Sequence, residues 1–256
     1  MSWRRESLDD FHIAIIGGIA TGKSTLLDEL VFKLRESEIF TNVVHEPIEE
    51  LRQYGRTKEN LLESFYSDPT RGFAFQMALS SLRQNQLANV EGIFIAERSF
   101  RCQQLVFAPI LLGQQDMTAS EFNILHNHFQ NLVNMYNHRP EIYIFLRASA
   151  ERQLERIAIR GRPEEVGINI EYLEKINQFY ERWMARDSTT KMIVETDTGP
   201  ISPAKIEEIV KFIKEQIEIR QRRRCREAEA LEDQDHQETQ EIEHNEEKTE
   251  NENEQD

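Results

Sequence analysis

The stretch FHIAIIGGIATGKSTLLDELVFKLRES, residues 11–37, decides the fold. Phe11–Ile16 is a short unbroken apolar run closed by two glycines, the pattern of a strand buried on both faces. Gly17 to Ser24, GGIATGKS, matches G-x-x-x-x-G-K-[ST]. From Lys23 onward the apolar residues recur at helical spacing. A glycine-rich turn with a chance lysine would not need a buried strand before it and an amphipathic helix after it; a phosphate-binding loop needs both. In that reading the backbone N–H groups of Gly17, Gly18, Ile19, Ala20, Thr21 and Gly22 wrap the phosphates. Lys23 reaches the outer ones, Ser24 ligates magnesium, and Thr25 follows in the helix whose positive end faces the anion.

The rest of the chain repeats the strand–helix alternation. TNVVHEP, GIFIAE, EIYIFLR and KMIVET read as four further strands. Helices are expected over RGFAFQMALSSLRQNQLANV, ASEFNILHNHFQNLVNMYNHR, SAERQLERIAIRG, NIEYLEKINQFYERWMAR and SPAKIEEIVKFIKEQIEIR. SFRCQQLVFAPILL reads as a helix ended or kinked by Pro109. This order implies an α/β fold with a parallel, doubly wound sheet of about five strands flanked by helices.

The 256 residues suit one sizeable domain with an appendage. The net charge is −15, but residues 227–256 hold fourteen acids and one base, so the rest of the chain is nearly balanced. The expected division is therefore a folded domain over 1–220 and an acidic, disordered tail over 221–256. That tail is a solubilising appendage or a contact for a basic partner. Nothing has the net basic charge typical of a nucleic-acid binder, and no apolar run approaches the length that spans a bilayer. Cys102 and Cys225 make neither a disulfide framework nor a zinc spacing. With no room for a leader before Phe11, the expected location is cytoplasmic. His126, His128 and His138 cluster in sequence, but 126 and 128 fall on different helix faces, so no metal site is expected there.

Ligands of open parallel sheets sit beyond the carboxyl ends of the strands. Two further groups fall there: Glu46 after the second strand, and Glu97-Arg98-Ser99 after the third. Each acid alone is either decoration or chemistry; beside one nucleotide, Glu97 faces the magnesium and Arg98 a phosphate or a substrate hydroxyl. After the fourth strand, Arg156, Arg160 and Arg162 close a helix and enter a glycine-containing loop. They form a solvated basic helix end or a lid that clamps a transferring phosphoryl group. Glu164 and Glu165 either pair with them or reach a substrate.

Together, GGIATGKST, HEPIEEL, FYSDP, FAFQMALSSLR, IAERS and RIAIRGRPEEVGINIEYLEKI resemble, in order and spacing, the deoxynucleoside kinase family, from about Phe11 to Ile219. The resemblance implies ATP as phosphate donor, Mg2+, a deoxynucleoside as the small-molecule acceptor, and a homodimer. It makes Glu46 the base that takes the 5′-hydroxyl proton and sets Arg98 at the same end of the substrate. Gln76 reads the base edge, Phe107 stacks on the base and Phe75 lines the pocket. Tyr66 and Glu165 hold the 3′-hydroxyl, Ser24 and Glu97 serve the metal, and Arg160, Arg162 and Arg156 cover the phosphates. Gln76 and Arg83, seven residues apart on one helix, are expected to point into one pocket. The family branch acting on deoxycytidine and deoxyguanosine has an arginine at 83 and an acid at 103; Gln103 replaces that acid, so Arg83 swings or bonds Gln103. Leu51 stands where an aromatic often lies, widening the pocket. Two other readings compete: a nucleoside monophosphate kinase, and a catalytically silent homologue acting as a structural or assembly subunit.

Overall fold

The computed structural model describes residues 11–88, 90–136 and 140–227. Five strands, β1 (Phe11–Gly17), β2 (Asn42–Val44), β3 (Ile93–Glu97), β4 (Ile142–Arg147) and β5 (Thr190–Glu195), form one parallel sheet in the order β2-β3-β1-β4-β5. β1 is buried along its whole length because it lies at the centre and is covered on both faces. Ile13, Ile15 and Ile16 are fully buried there, each contributing roughly 1.5–3 kcal/mol of apolar burial. From β1 the chain runs to β2 and β3 on one side, then crosses back to β4 on the other. That reversal leaves a crevice at the carboxyl end of β1.

The helices are α1 (Lys23–Glu36), α2 (Ile48–Arg52), α3 (Leu61–Ser67), α4 (Gly72–Leu87), α5 (Phe100–Cys102), α6 (Ala108–Gly113), α7 (Ala119–Tyr136), α8 (Ala150–Arg160) and α9 (Ile170–Arg186). A last helix, α10, spans 203–227. One apolar cluster joins β2 and β3 to α4 and α7 through Val44, Phe94, Leu79 and Phe129. A second joins β1 and β4 to α8 and α9 through Ile16, Phe145, Ile157 and Tyr180. Side-chain caps at Asn60, Ser149 and Asn169 start α3, α8 and α9, and Gly161, with φ 64°, ends α8.

Three local expectations change. Pro109 does not end its helix: the stretch continues to Gly113, with a π-helical turn, Gln103–Phe107, before it and Pro109 in the first turn of α6, where a missing N–H costs little. α2 and α3 were not anticipated; both are too short to show a clear period. The last helix runs past residue 220 to 227, although its sequence there lacks an apolar stripe. Pairs at i,i+4, Glu218 with Arg222 at 3.1 Å and Arg223 with Glu227 at 2.8 Å, favour helix without one. The chain divides into two compact units, Met1–Phe212 and Ile213–Asp256, so the division falls inside α10. The tail expected to be disordered lies, from residue 228, outside the described residues, as does His138. Among the described residues no helix is long and apolar enough to cross a membrane.

Candidate active site

The loop between β1 and α1 forms the floor of the crevice. Gly17 has φ 146°, and a Cβ there would stand 2.3 Å from the carbonyl oxygen of Leu146 on β4. Glycine is therefore required both for the backbone angle and for the close approach of two strands. Gly22, with φ 94°, caps α1. Lys23 is buried and donates to the Gly18 carbonyl at 2.7 Å, with Glu97 at 3.9 Å. Burial pushes its ammonium down to about 8, Arg98 adding to the fall and Glu97 and Glu46 opposing it. Ser24 Oγ donates to Glu97 Oε2 at 2.8 Å.

Parallel register sets the next pair. Val44 of β2 lies opposite Ala96 of β3, and two residues beyond each come Glu46 and Arg98. Arg98 takes φ 66°, costly for a side chain with a Cβ. Its guanidinium lies with Nε 3.1 Å from Glu46 Oε1 while Nη1 donates to Tyr180 Oη at 2.7 Å and to the Gly17 carbonyl at 3.1 Å. The Phe107 ring centroid is 4.9 Å from its Cζ. Burial alone raises the Glu46 carboxyl; Arg98, Lys23 and Arg83 outweigh it and hold it below the ordinary carboxylate range.

One cavity of about 250 Å³ takes in this charged end and an apolar end. Ile19, Ala20, Lys23, Ser24, Glu46, Glu97 and Arg98 line the first; Leu51, Phe75, Gln76, Phe107 and Tyr66 line the second. Phe75 stacks on Phe65 with ring centroids 4.5 Å apart. Ile48, Leu62, Phe65, Leu79 and Tyr172 also line the cavity and were not singled out from sequence. For Phe65 the one available signal was Asn60, a capping residue just before Leu61, since α3 is too short to show a period.

Gln76 and Arg83 do not share this cavity. Gln76 lines it, whereas Arg83 is buried and donates from Nη1 to the carbonyls of Glu97 (3.0 Å) and Arg98 (3.2 Å). Two turns of α4 carry Arg83 past the pocket to the loop after β3, where it holds the backbone that presents Arg98. Gln103 does not line the cavity either. Its Nε2 donates to the Gln76 backbone carbonyl at 3.1 Å and to Gln76 Oε1 at 3.0 Å, and among the described residues its Oε1 has no partner. Arg83 thus neither swings free nor bonds Gln103: two carbonyls fix it, and Gln103 serves Gln76.

The arginines divide. Arg160 grips Glu165 through Nε (3.1 Å) and Nη2 (2.7 and 2.6 Å), and Arg162 reaches it at 3.4 Å; all three line the cavity. Arg156 stands apart from them. It donates to the carbonyls of Ala20 (3.4 Å), Thr196 and Gly199 (3.2 Å) and lines a second cavity, about 320 Å³, with Thr21, Gly22 and Thr25. Of the two acids, Glu165 pairs within the loop, and Glu164 pairs with Arg52.

Ser24 and Glu97 offer hard oxygens, one hydroxyl and one carboxylate, side by side at the rim of the phosphate loop. That is the small protein share that magnesium takes when phosphates supply the rest, so the residues present fit the ion. Among the described residues there is no larger group of His, Cys, Asp or Glu able to hold a metal.

The model of the family described as deoxynucleoside kinase matches residues 13–218. Deoxycytidine kinase of Mus musculus is 32% identical over 194 residues, covering 67% of this chain and 74% of that protein. The mitochondrial deoxyguanosine kinase of Xenopus laevis is 26% identical over 219 residues, covering 77% and 81%. A probable deoxycytidine kinase of Fowlpox virus is 29% identical over 181 residues, covering 69% and 72%. With the family match running through the phosphate loop, the strand-end acids and the arginine loop of one parallel sheet, the chain belongs to the deoxynucleoside kinase family.

Proposed function

We propose that the protein transfers the γ-phosphoryl group of ATP to the 5′-hydroxyl of a deoxynucleoside. The observation that carries this reading is the single cavity with a phosphate loop and Glu46–Arg98 at one end and Phe75, Gln76 and Phe107 at the other. A nucleoside laid along it puts its base on the aromatic end and its 5′-oxygen at Glu46. Glu46 takes the proton as that oxygen bonds to the γ-phosphorus and the bond to the β–γ bridging oxygen breaks. Arg98 keeps Glu46 ionised and aimed, at some cost in basicity. Lys23 carries positive charge to the transferring group, and Arg160 and Arg162 close over it. Gln76 turns its carboxamide to the base edge, with Phe107 and Phe75 holding the base; Tyr66 and Glu165 take the 3′-hydroxyl. Arg156, Thr21 and Thr25 lie on the donor side. Ser24 and Glu97 would hold Mg2+, which when bound neutralises phosphate charge.

The family resemblance extends the reading to a homodimer. The two free thiols support a reducing compartment, read as the cytoplasm, with no nucleic-acid or membrane partner. The acidic residues from 221 onward are read as an appendage to a kinase domain. The deciding experiment is turnover with ATP over the four deoxynucleosides, with ribonucleosides and deoxynucleoside monophosphates as controls. Transfer to a deoxynucleoside is expected; transfer to monophosphates alone, or no turnover, overturns the reading.

A further inference from the structure

We infer that Arg52 is a positioning residue for phosphoryl transfer, latching the arginine loop to the short helix that begins beside Glu46; this rests on the reading just given.

The loop from Arg160 to Gly167 packs against α3 at its buried Glu165 but has few apolar side chains to hold it down. Val166 is 86% exposed and Ile159, just before it, 83%, so neither apolar side chain anchors it. Glu165 is well paired, but with Arg160 and Arg162 of the same loop. Those pairs shape the loop without tying it to anything else. Glu164 does tie it. Arg52 Nε donates to Glu164 Oε1 at 2.8 Å and Nη2 to Oε2 at 3.2 Å, a two-pronged fork across 112 positions of sequence, and Asn60 Nδ2 adds a longer bond at 3.4 Å. Among the described residues, these are the side-chain hydrogen bonds that leave the loop.

A surface ion pair at a helix C-terminus would be the plainer interpretation, and such pairs contribute little. This one is different in burial: the Glu164 side chain is only 6% exposed. Arg52 holds its carboxyl down at about 2, chiefly through that hydrogen bond. The other end of the latch is equally specific. Arg52 closes α2, whose first residue, Ile48, donates its N–H to the Glu46 carbonyl at 2.8 Å, and Leu51 beside it lines the cavity. The loop that covers the phosphates and the turn that presents the base are therefore joined by one guanidinium. The other partner of Arg52, Glu49, is 74% exposed and is not part of the joint.

The test combines Arg52→Met, Glu164→Gln and the double variant, with Glu49→Gln as control and Arg52→Lys as the milder change. In ligand-free protein, hydrogen exchange of the 161–168 amides should quicken about tenfold in each of the three latch variants, a partly buried charge-assisted bond being lost. KM for ATP should rise about fivefold and kcat fall, the double variant being no worse than either single. Arg52→Lys, with charge but no fork, should lie between, and Glu49→Gln should match wild type within twofold. Unchanged exchange in Arg52→Met, or additive effects in the double, overturns the latch. If Arg52→Met does not fold, Arg52→Lys with wild-type exchange does the same. Wild-type protein that phosphorylates no nucleoside overturns the functional reading instead, and the exchange experiment still judges the latch.

Discussion

Glu46 and Arg98 face each other, Oε1 to Nε, at 3.1 Å, each two residues beyond the paired positions Val44 and Ala96 of adjacent parallel strands. Neither is free to wander. Arg98 is further held by the Tyr180 hydroxyl and the Gly17 carbonyl, and Glu46 is followed at once by Pro47 and α2. A carboxylate so placed is ionised and directed before substrate arrives.

Replacing Glu46 by Gln keeps the shape and removes the proposed base. We expect kcat to fall about 10²–10⁴-fold, with KM for ATP within threefold. Steady-state kinetics at saturating nucleoside checks this; an unchanged kcat would show that another group takes the proton.

The pH profile follows from the same charges. Glu46 lies below the ordinary carboxylate range, so it stays a competent base as pH falls through that range and is lost only below it. Lys23 sits at about 8, so in free enzyme it loses its proton as pH rises through that value. Bound phosphates favour its charged form. The expected result is that kcat/KM for ATP falls about tenfold by pH 9 while kcat holds to higher pH. Parallel loss of both would place the titrating group elsewhere.

Two glycines with positive φ should respond differently to alanine. At Gly17 the new Cβ meets backbone 2.3 Å away, whereas at Gly161 it meets open space. We expect Gly17→Ala to cost at least about 2 kcal/mol and to abolish nucleotide binding, and Gly161→Ala to cost about 1 kcal/mol. Urea denaturation with the two variants side by side measures the difference.

Gln103 should act on the base through Gln76. Gln103→Leu removes the donor that holds the Gln76 carboxamide, leaving a buried oxygen without a partner. KM for the best deoxynucleoside should rise about 3–10-fold, about 1 kcal/mol, with kcat little changed. A nucleoside panel on wild type and variant checks this, and an unchanged KM would leave Gln103 as packing alone.

The phosphate loop, the five strands and the acids at their ends were legible because each is a local pattern. An apolar run before glycines can hardly be anything but a buried strand, and the lysine and serine that follow have one common purpose. Arg83 and Gln103 were misplaced for the opposite reason. Helical spacing puts Gln76 and Arg83 on one face, but a pocket is narrower than a face, and two turns of rise carry the guanidinium to the Glu97 and Arg98 carbonyls. Arg52 gave no signal at all, since an arginine ending a short helix is ordinary until its partner, 112 positions away, is known.

Sequence alone determined which groups this protein possesses: the loop that cradles anions, the parallel sheet, and the acids and arginines set at its rim. Those follow from backbone sterics and burial, which act between neighbours along the chain. Tertiary structure decided which charges meet. Glu46 is held by Arg98, Glu165 by Arg160 and Glu164 by Arg52 because strand register and loop closure bring them within hydrogen-bond range. Ion pairing depends on distance in space and on exclusion of water, and neither can be read along a chain.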